Sequence, residues 1–298
     1  MRTRAKRLLR SLGLALLAFR MREWWRARSR SRRRTPSPDG FPIPPPELIV
    51  LVTGSADTAW YTEGGGLAAE SICGLLGQAG ISPHDFRSIL DFGCGCGRVI
   101  RHWPQITSAS LHGTDCNPKL VQWCGRNLPY AKFQSNTLEP RLDYADEMFE
   151  FAYALSVFTH TPEDLQQPWM TELRRILRPG GYLLITTQGD EFSPRLDDAE
   201  RDRYRRGNMV VRYGEAAGTN LCSVYHPEPY VRDRLAETFT WIMSNPRGAA
   251  GNGRQDMYLL RKPNEDPAMR RQYRSSPGRQ RGSSAATGHR ARSPGSRR

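Results

Sequence analysis

A glycine-rich turn with an acid at its start is the part of the sequence best suited to hold a ligand. Residues 91–97 read D-F-G-C-G-C-G, follow an apolar run at 88–92 and precede a helical pattern. Glycines in such a turn let the backbone approach a ligand, and the N-terminus of the following helix faces it. The nicotinamide fingerprint G-x-G-x-x-G does not fit, because its third glycine would fall on Arg98 or Ile100.

A second acid stands 18 residues beyond this turn. Asp115 follows the strand-like run at 110–113, with only Thr114 between them. A solvated acid at a strand end, or a helix cap, is the plainer interpretation of this residue. Its pairing with the glycine turn favours a ligand contact instead.

Apolar strand-like runs alternate with helical patterns around these residues. Asn117 with Pro118, and Thr161 with Pro162, each predict a helix cap followed by a proline at the first helical position. The alternation predicts a mostly parallel sheet covered by helices on both faces. The predicted strands are 88–92, 110–113, 132–134, 149–155 and 182–187, and the predicted helices are 67–76, 97–103, 117–127 and 161–177.

The order and spacing of these features resemble the class I S-adenosylmethionine-dependent methyltransferases, whose turn reads D-x-G-x-G-x-G. The resemblance covers residues 67–188 and includes L-R-P-G-G-Y-L-L-I at 177–185. It implies an α/β, Rossmann-like sheet of seven strands, mostly parallel, with helices on both faces and one antiparallel strand at 256–260. It also implies S-adenosyl-L-methionine as the cofactor and methyl transfer as the reaction.

The resemblance also assigns cofactor contacts to individual residues. It places Asp115 on the two ribose hydroxyls, Cys116 on the adenine ring and Asn136 near the adenine amino group. An ordinary turn composition explains Asn136 equally well. Asp91 and the loop after the fourth strand, with Ser156, would lie beside the methionine part. The predicted cofactor-binding residues are Asp91, Gly93, Cys94, Gly95, Gly97, Asp115, Cys116, Asn136 and Ser156.

Methyl transfer chiefly requires that an acceptor be aligned and water excluded, so a dedicated base is optional. For a hydroxyl acceptor, His160 and His226 are the candidate catalytic bases. A role as a loop histidine is at least as good an interpretation of His226. The segment 190–230, with a charged helix at 197–206 and a hairpin at 209–213 and 221–225, is expected to cap the pocket and select the acceptor.

The net charge of +14 is concentrated in the two ends of the chain. Residues 1–34 hold 13 Lys/Arg and one acid, residues 261–298 hold 11 and two, and residues 35–260 hold 20 Lys/Arg against 27 acids. A domain that positions nucleic acid for chemistry should itself be basic, so nucleic acid is not the expected partner of this acidic centre. The D/N-P-P-Y loop of amino-methylating nucleic-acid enzymes is also missing, since residues 154–157 read A-L-S-V.

A small-molecule acceptor is therefore the first hypothesis, and a sugar, a lipid precursor or a natural product would suit it. Two alternatives stay open. One is an RNA or protein methyltransferase recruited by its Arg-rich tails, and the other is a protein that binds S-adenosylmethionine without catalysis.

The chain divides by composition into a basic leader at 1–34, a Pro-rich linker at 35–46, a methyltransferase domain at 47–262 and a disordered basic tail at 263–298. The leader is predicted to be either disordered or an amphipathic helix that contacts a membrane peripherally. In the helical interpretation Leu8, Leu9, Leu12, Leu16 and Phe19, with Trp24 and Trp25, form one apolar face. Its apolar part is too short to span a bilayer, so a cytoplasmic protein is expected.

The six cysteines have no spacing typical of a secreted disulfide scaffold and are predicted to be reduced thiols. Cys94 and Cys96 are separated by one residue, whereas structural zinc pairs usually have at least two between them. No metal is predicted.

Overall fold

A seven-stranded sheet forms the centre of the computed structural model, which describes residues 15–28, 37 and 39–264. Its order is β3-β2-β1-β4-β5-β9-β8, and only β9 runs antiparallel to its neighbours. The predicted Rossmann-like sheet with one antiparallel strand is confirmed. The strands of this sheet are β1 (Ser88–Phe92), β2 (Ser110–Asp115), β3 (Ala131–Ser135), β4 (Phe149–Ala154), β5 (Leu177–Thr187), β8 (Thr240–Ala249) and β9 (Gln255–Arg261), while β6 (Val210–Arg212) and β7 (Ser223–Tyr225) form a separate hairpin.

Helices cover both faces of the sheet. They are α1 (Ala15–Arg28), α2 (Pro46–Thr53), α3 (Thr58–Gln78), α4 (Pro118–Asn127), α5 (Glu163–Ile176), α6 (Asp198–Arg205) and α7 (Glu228–Tyr230), which continues as a π-helical turn at Val231–Leu235. Short 3₁₀ helices lie at Pro83–Asp85, Ile100–Gln105, Phe158–His160, Asp190–Arg195 and Gly214–Ala216.

The core has two layers because side chains of a strand alternate between the faces of the sheet. Phe151 and Tyr153 of β4 pack with α3 and α4, whereas Ala152 and Ala154 pack with α5 and the turn at Val231–Leu235. β4 is buried on both sides, as is usual for a parallel strand.

Two predicted helix starts differ from the observed ones. The helix expected at 97–103 is a 3₁₀ helix at Ile100–Gln105, since Gly97 has a φ of 80°, outside the right-handed helical region. The predicted cap Thr161 is wrong, because Pro162 occupies the N-cap of α5 and Thr161 donates to the carbonyl of Val157 at 2.9 Å. The predicted cap Asn117 accepts from the amide of Lys119 at 3.1 Å.

Residues 39–41 of the predicted linker pack against the domain. Arg101, whose side chain is fully buried, donates to both carboxylate oxygens of Asp39 at 2.5 and 2.8 Å and to the carbonyl of Phe41 at 3.0 Å. Burial opposes ionisation of Asp39, but its hydrogen bonds with Arg101 lower its pKa to about 2. The ion pair therefore ties the chain before α2 to the 3₁₀ helix after the glycine turn.

Part of the leader is helical, and α1 lies next to α2. Leu8, Leu9 and Leu12 of the proposed apolar face lie outside the described residues. No helix in the described part of the chain combines the length and the apolar character that crossing a membrane requires.

Candidate active site

A cavity of about 860 Å³ lies at the carboxyl ends of β1, β2 and β4. The strand order reverses between β1 and β4, and such a reversal opens a crevice where ligands of doubly wound sheets bind. Loops after these strands line the cavity together with α1, α2, the β6–β7 turn and the β8–β9 turn.

The glycine turn is held close to the end of β2. The amides of Gly93 and Cys94 donate to the carbonyl of Thr114 at 2.8 and 2.9 Å. Gly93 has a φ of 79°, and a Cβ there would lie 2.4 Å from a methyl of Val157. Gly95 has a φ of 56° and would place its Cβ 2.7 Å from Val52. Both the backbone conformation and the available space therefore require glycine at these positions.

Asp115 spans the gap between the turn and the next helix. Its two carboxylate oxygens accept from the amides of Gly95 at 2.9 Å and Asn117 at 2.8 Å. Burial raises the pKa of Asp115, and these two hydrogen bonds oppose the shift. A carboxylate has about four acceptor positions, so two remain for the vicinal hydroxyls of a ribose.

Asp91 presents a buried acceptor beside the cavity. Its side chain is 4% exposed, and Oδ2 has no hydrogen-bond partner among the described residues. Burial raises the pKa of Asp91 to about 7, against the effects of the neighbouring Tyr153 hydroxyl and the Arg98 guanidinium. A cationic amino group would supply both the missing donor and the compensating charge, so the site fits the amino-acid end of S-adenosylmethionine.

The structure brings most of the other predicted cofactor residues to the same cavity. Cys94, Cys116, Asn136 and Ser156 line it, whereas Gly97 lies behind the turn and shapes it. The side chain of Asn136 is engaged at both ends, because Oδ1 accepts from Thr114 and Nδ2 donates to the carbonyl of Thr137. Each end keeps one further position, since an amide oxygen accepts two hydrogen bonds and an amide nitrogen donates two, so the proposed contact with adenine stays possible in number.

The two candidate bases have different surroundings. His160 lines the cavity, and its Nδ1 lies 2.6 Å from the carbonyl oxygen of Cys222. A carbonyl only accepts, so Nδ1 carries the proton and Nε2 is the basic nitrogen. Burial lowers the pKa of His160, so the ring is neutral at pH 7.

His226 does not face this cavity, which argues against its predicted role as a base. Its ring is fully buried, with Nε2 3.1 Å from Oε1 of Gln166. Burial lowers its pKa to about 3. His226 is a packed residue of the core.

A polar network that the sequence analysis did not predict lies along the cavity. Arg98 donates to Asn252 at 2.8 Å, Asn252 donates to Gln255 at 3.1 Å, and Gln255 donates to Ser156 Oγ at 2.8 Å. Asn252 comes from the β8–β9 turn and Gln255 is the first residue of β9, both more than 150 residues after Arg98. Their only sequence signal is a turn composition, which says nothing about a ligand.

Part of the predicted capping segment also lines the cavity. The residues concerned are Ala217, Gly218, Thr219 and Asn220 of the β6–β7 turn. The amide of Gly218 donates to the carbonyl of His160 at 2.9 Å.

Helix α1 covers the cavity from the side opposite the sheet. Leu16, Phe19, Glu23 and Ala27 line it and are partly buried. The guanidinium of Arg26 donates to the carbonyl of Gly54 at 2.7 Å. Burial raises the pKa of Glu23, a shift opposed by its hydrogen bond with Asn220. The helix therefore adds a second candidate base that the sequence pattern did not reveal.

In the part of the chain that the structure describes, no three His, Cys, Asp or Glu side chains are grouped so as to hold a metal ion. The six cysteines are free thiols.

Residues 90–185 match the model of a protein family that is described as a methyltransferase domain. A curated relative, Methyltransferase GfsG of Streptomyces halstedii, is 30% identical over 107 residues, which are 33% of this chain and 36% of that protein. The chain thus matches about a third of the length of this relative.

Solved structures of similar fold include a S-adenosylmethionine-dependent methyltransferase from Methanosarcina mazei, 22% identical, with a TM-score of 0.45 over 60% of this chain and 93% of that one. Another is the 1,6-didemethyltoxoflavin-N1-methyltransferase of Burkholderia thailandensis with bound S-adenosylhomocysteine. It is 18% identical, with a TM-score of 0.46 over 70% of this chain and 80% of that one.

Proposed function

Because residues 90–185 match a methyltransferase domain and the sheet has a Rossmann-like strand order, we propose that this chain is a class I S-adenosylmethionine-dependent methyltransferase that transfers a methyl group to a small-molecule acceptor. The observation that carries the proposal is the arrangement of Asp91 and Asp115 on either side of the glycine turn, beside one covered cavity. Its volume of about 860 Å³ lies within the usual range for sites that hold small molecules.

Each residue of the site has a specific part in holding the cofactor. Asp115 would accept the ribose hydroxyls, and Asp91 would pair with the amino group of the methionine part. Gly93 and Gly95 leave room for the ligand against the backbone. Bound S-adenosylmethionine supplies a methyl group activated on a cationic sulfur.

The protein's contribution to the reaction is alignment and exclusion of water. Helix α1 and the β6–β7 turn line the cavity and cover part of it. For a hydroxyl acceptor, His160 or Glu23 would remove the proton, since both line the cavity. Burial lowers the pKa of His160, which favours the neutral, basic imidazole, and it raises the pKa of Glu23, which makes the Glu23 carboxylate a stronger base.

An acidic domain and a covered cavity support a small acceptor over a polymer. The residues between the two basic ends hold 27 acids against 20 Lys/Arg. Such a surface repels the phosphates of a nucleic acid. The basic ends remain the only sequence feature that favours recruitment of a polymer.

Calorimetric titration with S-adenosylhomocysteine tests the cofactor site. We expect Asp115→Ala to weaken binding about 10- to 100-fold, because charge-assisted hydrogen bonds to the ribose are lost. The matched control is Asp233→Ala, an exposed acid outside the cavity, which should bind as the wild type does. Absence of heat with the wild-type chain, or equal affinity in Asp115→Ala, would refute the proposal.

Measuring methyl transfer after deletion of the C-terminal tail distinguishes a small-molecule acceptor from a polymeric one. Removal of residues 264–298 should leave methyl transfer to a small acceptor unchanged. Transfer to RNA or protein that disappears with the tail would favour the polymer instead.

A further inference from the structure

The described residues leave large apolar side chains exposed mainly around the cavity. Eight such side chains are exposed in the described residues, and four of them lie on α1: Leu17, Met21, Trp24 and Trp25. Two of the others, Trp60 and Leu138, line the cavity that α1 covers. The exposure is thus concentrated on one side of the molecule.

The four side chains of α1 form one continuous face. At 100° per residue, positions 17, 21, 24 and 25 fall within about 100° of arc and extend about 12 Å along the helix. Trp24 and Trp25 are 54% and 65% exposed and contact each other edge to face, with ring centroids 6.3 Å apart. Trp24 also lines the cavity, so it lies at the edge of this face.

The inner face of the same helix packs against the rest of the domain. Leu16, Phe19 and Glu23 line the cavity and are partly buried. The hydrogen bond from Arg26 to Gly54 holds the helix against the end of α2. The sequence-based apolar face is corrected accordingly, because Leu16 and Phe19 are partly buried at the cavity and Trp25 points outward, while Trp24 is exposed at the edge of the cavity.

The positive charge of α1 and of the residues around it indicates which kind of partner would bind the outer face. Arg20, Arg22 and Arg26 are exposed on α1, and residues 1–34 together carry 13 Lys/Arg against one acid. A second copy of this face would bring the same positive charge, so the two would repel each other. A nucleic acid would pair with the arginines but leave the apolar side chains uncovered.

We propose that the outer face of α1, formed by Leu17, Met21, Trp24 and Trp25, docks on an anionic lipid surface. Such a surface buries apolar and indole side chains at the level of the headgroups and attracts the flanking arginines. The acidic rest of the domain is repelled by the same surface, which orients the molecule with α1 toward the lipid.

This orientation has a consequence that rests on the proposed methyl transfer. Helix α1 covers the cavity, so docking places the cavity directly beneath the lipid surface. An acceptor with an apolar chain and a polar, methylatable end would then reach the cavity from the lipid. The docking itself does not depend on that chemistry.

Sedimentation of the full chain with vesicles tests the docking. Vesicles of phosphatidylcholine with phosphatidylglycerol should bind the wild-type chain at least about tenfold more strongly than phosphatidylcholine alone. The double variant Trp24→Ala/Trp25→Ala should lose about tenfold or more in binding. The matched control Leu67→Ala/Ile242→Ala removes two exposed apolar side chains elsewhere and should bind as the wild type does.

Fluorescence with lipids brominated in the acyl chain provides the second measurement. Quenching that is present in the wild type and largely absent in Trp24→Ala/Trp25→Ala supports insertion of this face. Equal vesicle binding by the double variant and the wild type would overturn the proposal, as would no binding to anionic vesicles. A wild-type dimer that this variant makes monomeric would assign the face to a second copy instead.

The failure of docking is distinguishable from failure of the methyltransferase assignment. The single variant Trp25→Ala should lose vesicle binding but keep the wild-type affinity for S-adenosylhomocysteine, because Trp25 does not line the cavity. Loss of vesicle binding with intact ligand binding identifies a docking defect alone.

Discussion

Asp91 and Asp115 end neighbouring strands, yet their surroundings differ. Asp115 already accepts two backbone hydrogen bonds, whereas Oδ2 of Asp91 has none among the described residues. The buried, unpaired oxygen is the less stable arrangement without a ligand. The sequence indicated both residues through the D-x-G-x-G-x-G spacing, but only the structure separates their environments.

The pH dependence of methyl transfer tests His160. If the acceptor is a hydroxyl, the neutral imidazole is the active form, and its pKa lies below the ordinary histidine value because of burial. We expect the rate to stay constant around pH 7 and to fall as the pH is lowered through that pKa. His160→Gln should lose about 100-fold in rate together with this acid limb.

The control for His160 is His84→Gln, an exposed histidine on a distant 3₁₀ helix, which should leave the profile unchanged. An acid limb that persists in His160→Gln would rule out His160 as the titrating base. If that limb then disappears in Glu23→Gln, the base is the carboxylate of α1.

At the scale of elements, α3 contains three consecutive glycines that lower its intrinsic helix stability. A Cβ on Gly65 would lie 2.2 Å from the carbonyl oxygen of Arg98, which is backbone. The nearest atom to a Cβ on Gly66 is 3.6 Å away, in the ring of His102. The close approach at Gly65 lets α3 pack directly beside the segment that follows the glycine turn.

Substitution at these two glycines should therefore have opposite effects on stability. Gly65→Ala is expected to lower the free energy of unfolding by about 2 kcal/mol or more, because the backbone of Arg98 must move. Gly66→Ala should be neutral or stabilising by up to about 1 kcal/mol, as expected for a helical glycine with room for a methyl group. Urea denaturation measures both, and equal effects would contradict the packing argument.

Element boundaries were predictable where a local signal sets them. Asn117-Pro118 predicted the start of α4, because a capping side chain and a proline act within one turn. The helix expected at 97–103 failed for a reason outside its own pattern, since Gly97 adopts a left-handed conformation to complete the turn. The hydrophobic periodicity of this segment does not predict the backbone conformation of Gly97.

At the scale of the whole molecule, one chain of contacts connects the N-terminal segment to the site. Asp39 pairs with Arg101, whose guanidinium lies 5.4 Å from the ring centre of Tyr61, and the Tyr61 hydroxyl donates to the carbonyl of Cys96 at 2.6 Å. The segment before α2 thus supports the glycine turn through two buried side chains.

Asp39→Asn should destabilise the fold by about 3 kcal/mol, because it leaves the buried Arg101 without a counter-charge. The pKa of Asp39 is lowered in the folded state, so its stabilisation is present above the ordinary Asp pKa and is lost as pH falls toward about 2. Thermal unfolding at several pH values measures this. The control Asp202→Asn changes an exposed ion pair with Arg205 and should unfold as the wild type does. Equal midpoints for Asp39→Asn and the wild type would contradict a structural role for the pair.

The sequence by itself determined the class of sheet, the glycine turn and the acid at the next strand end. These features depend on patterns a few residues long, in which residue type restricts backbone conformation directly. The repeating strand and helix signals then required only the general rules of parallel sheets to bring Asp91 and Asp115 to one edge.

Only the tertiary structure decided which side chains meet across long separations. The link from Arg98 to Asn252, the burial of His226 and the two faces of α1 all depend on packing partners far away in the chain. A local pattern gives a helix an apolar side, but it does not say which side meets the domain. In α1 the side chains of Leu16 and Phe19 are partly buried at the cavity, and this packing leaves Trp25 facing outward.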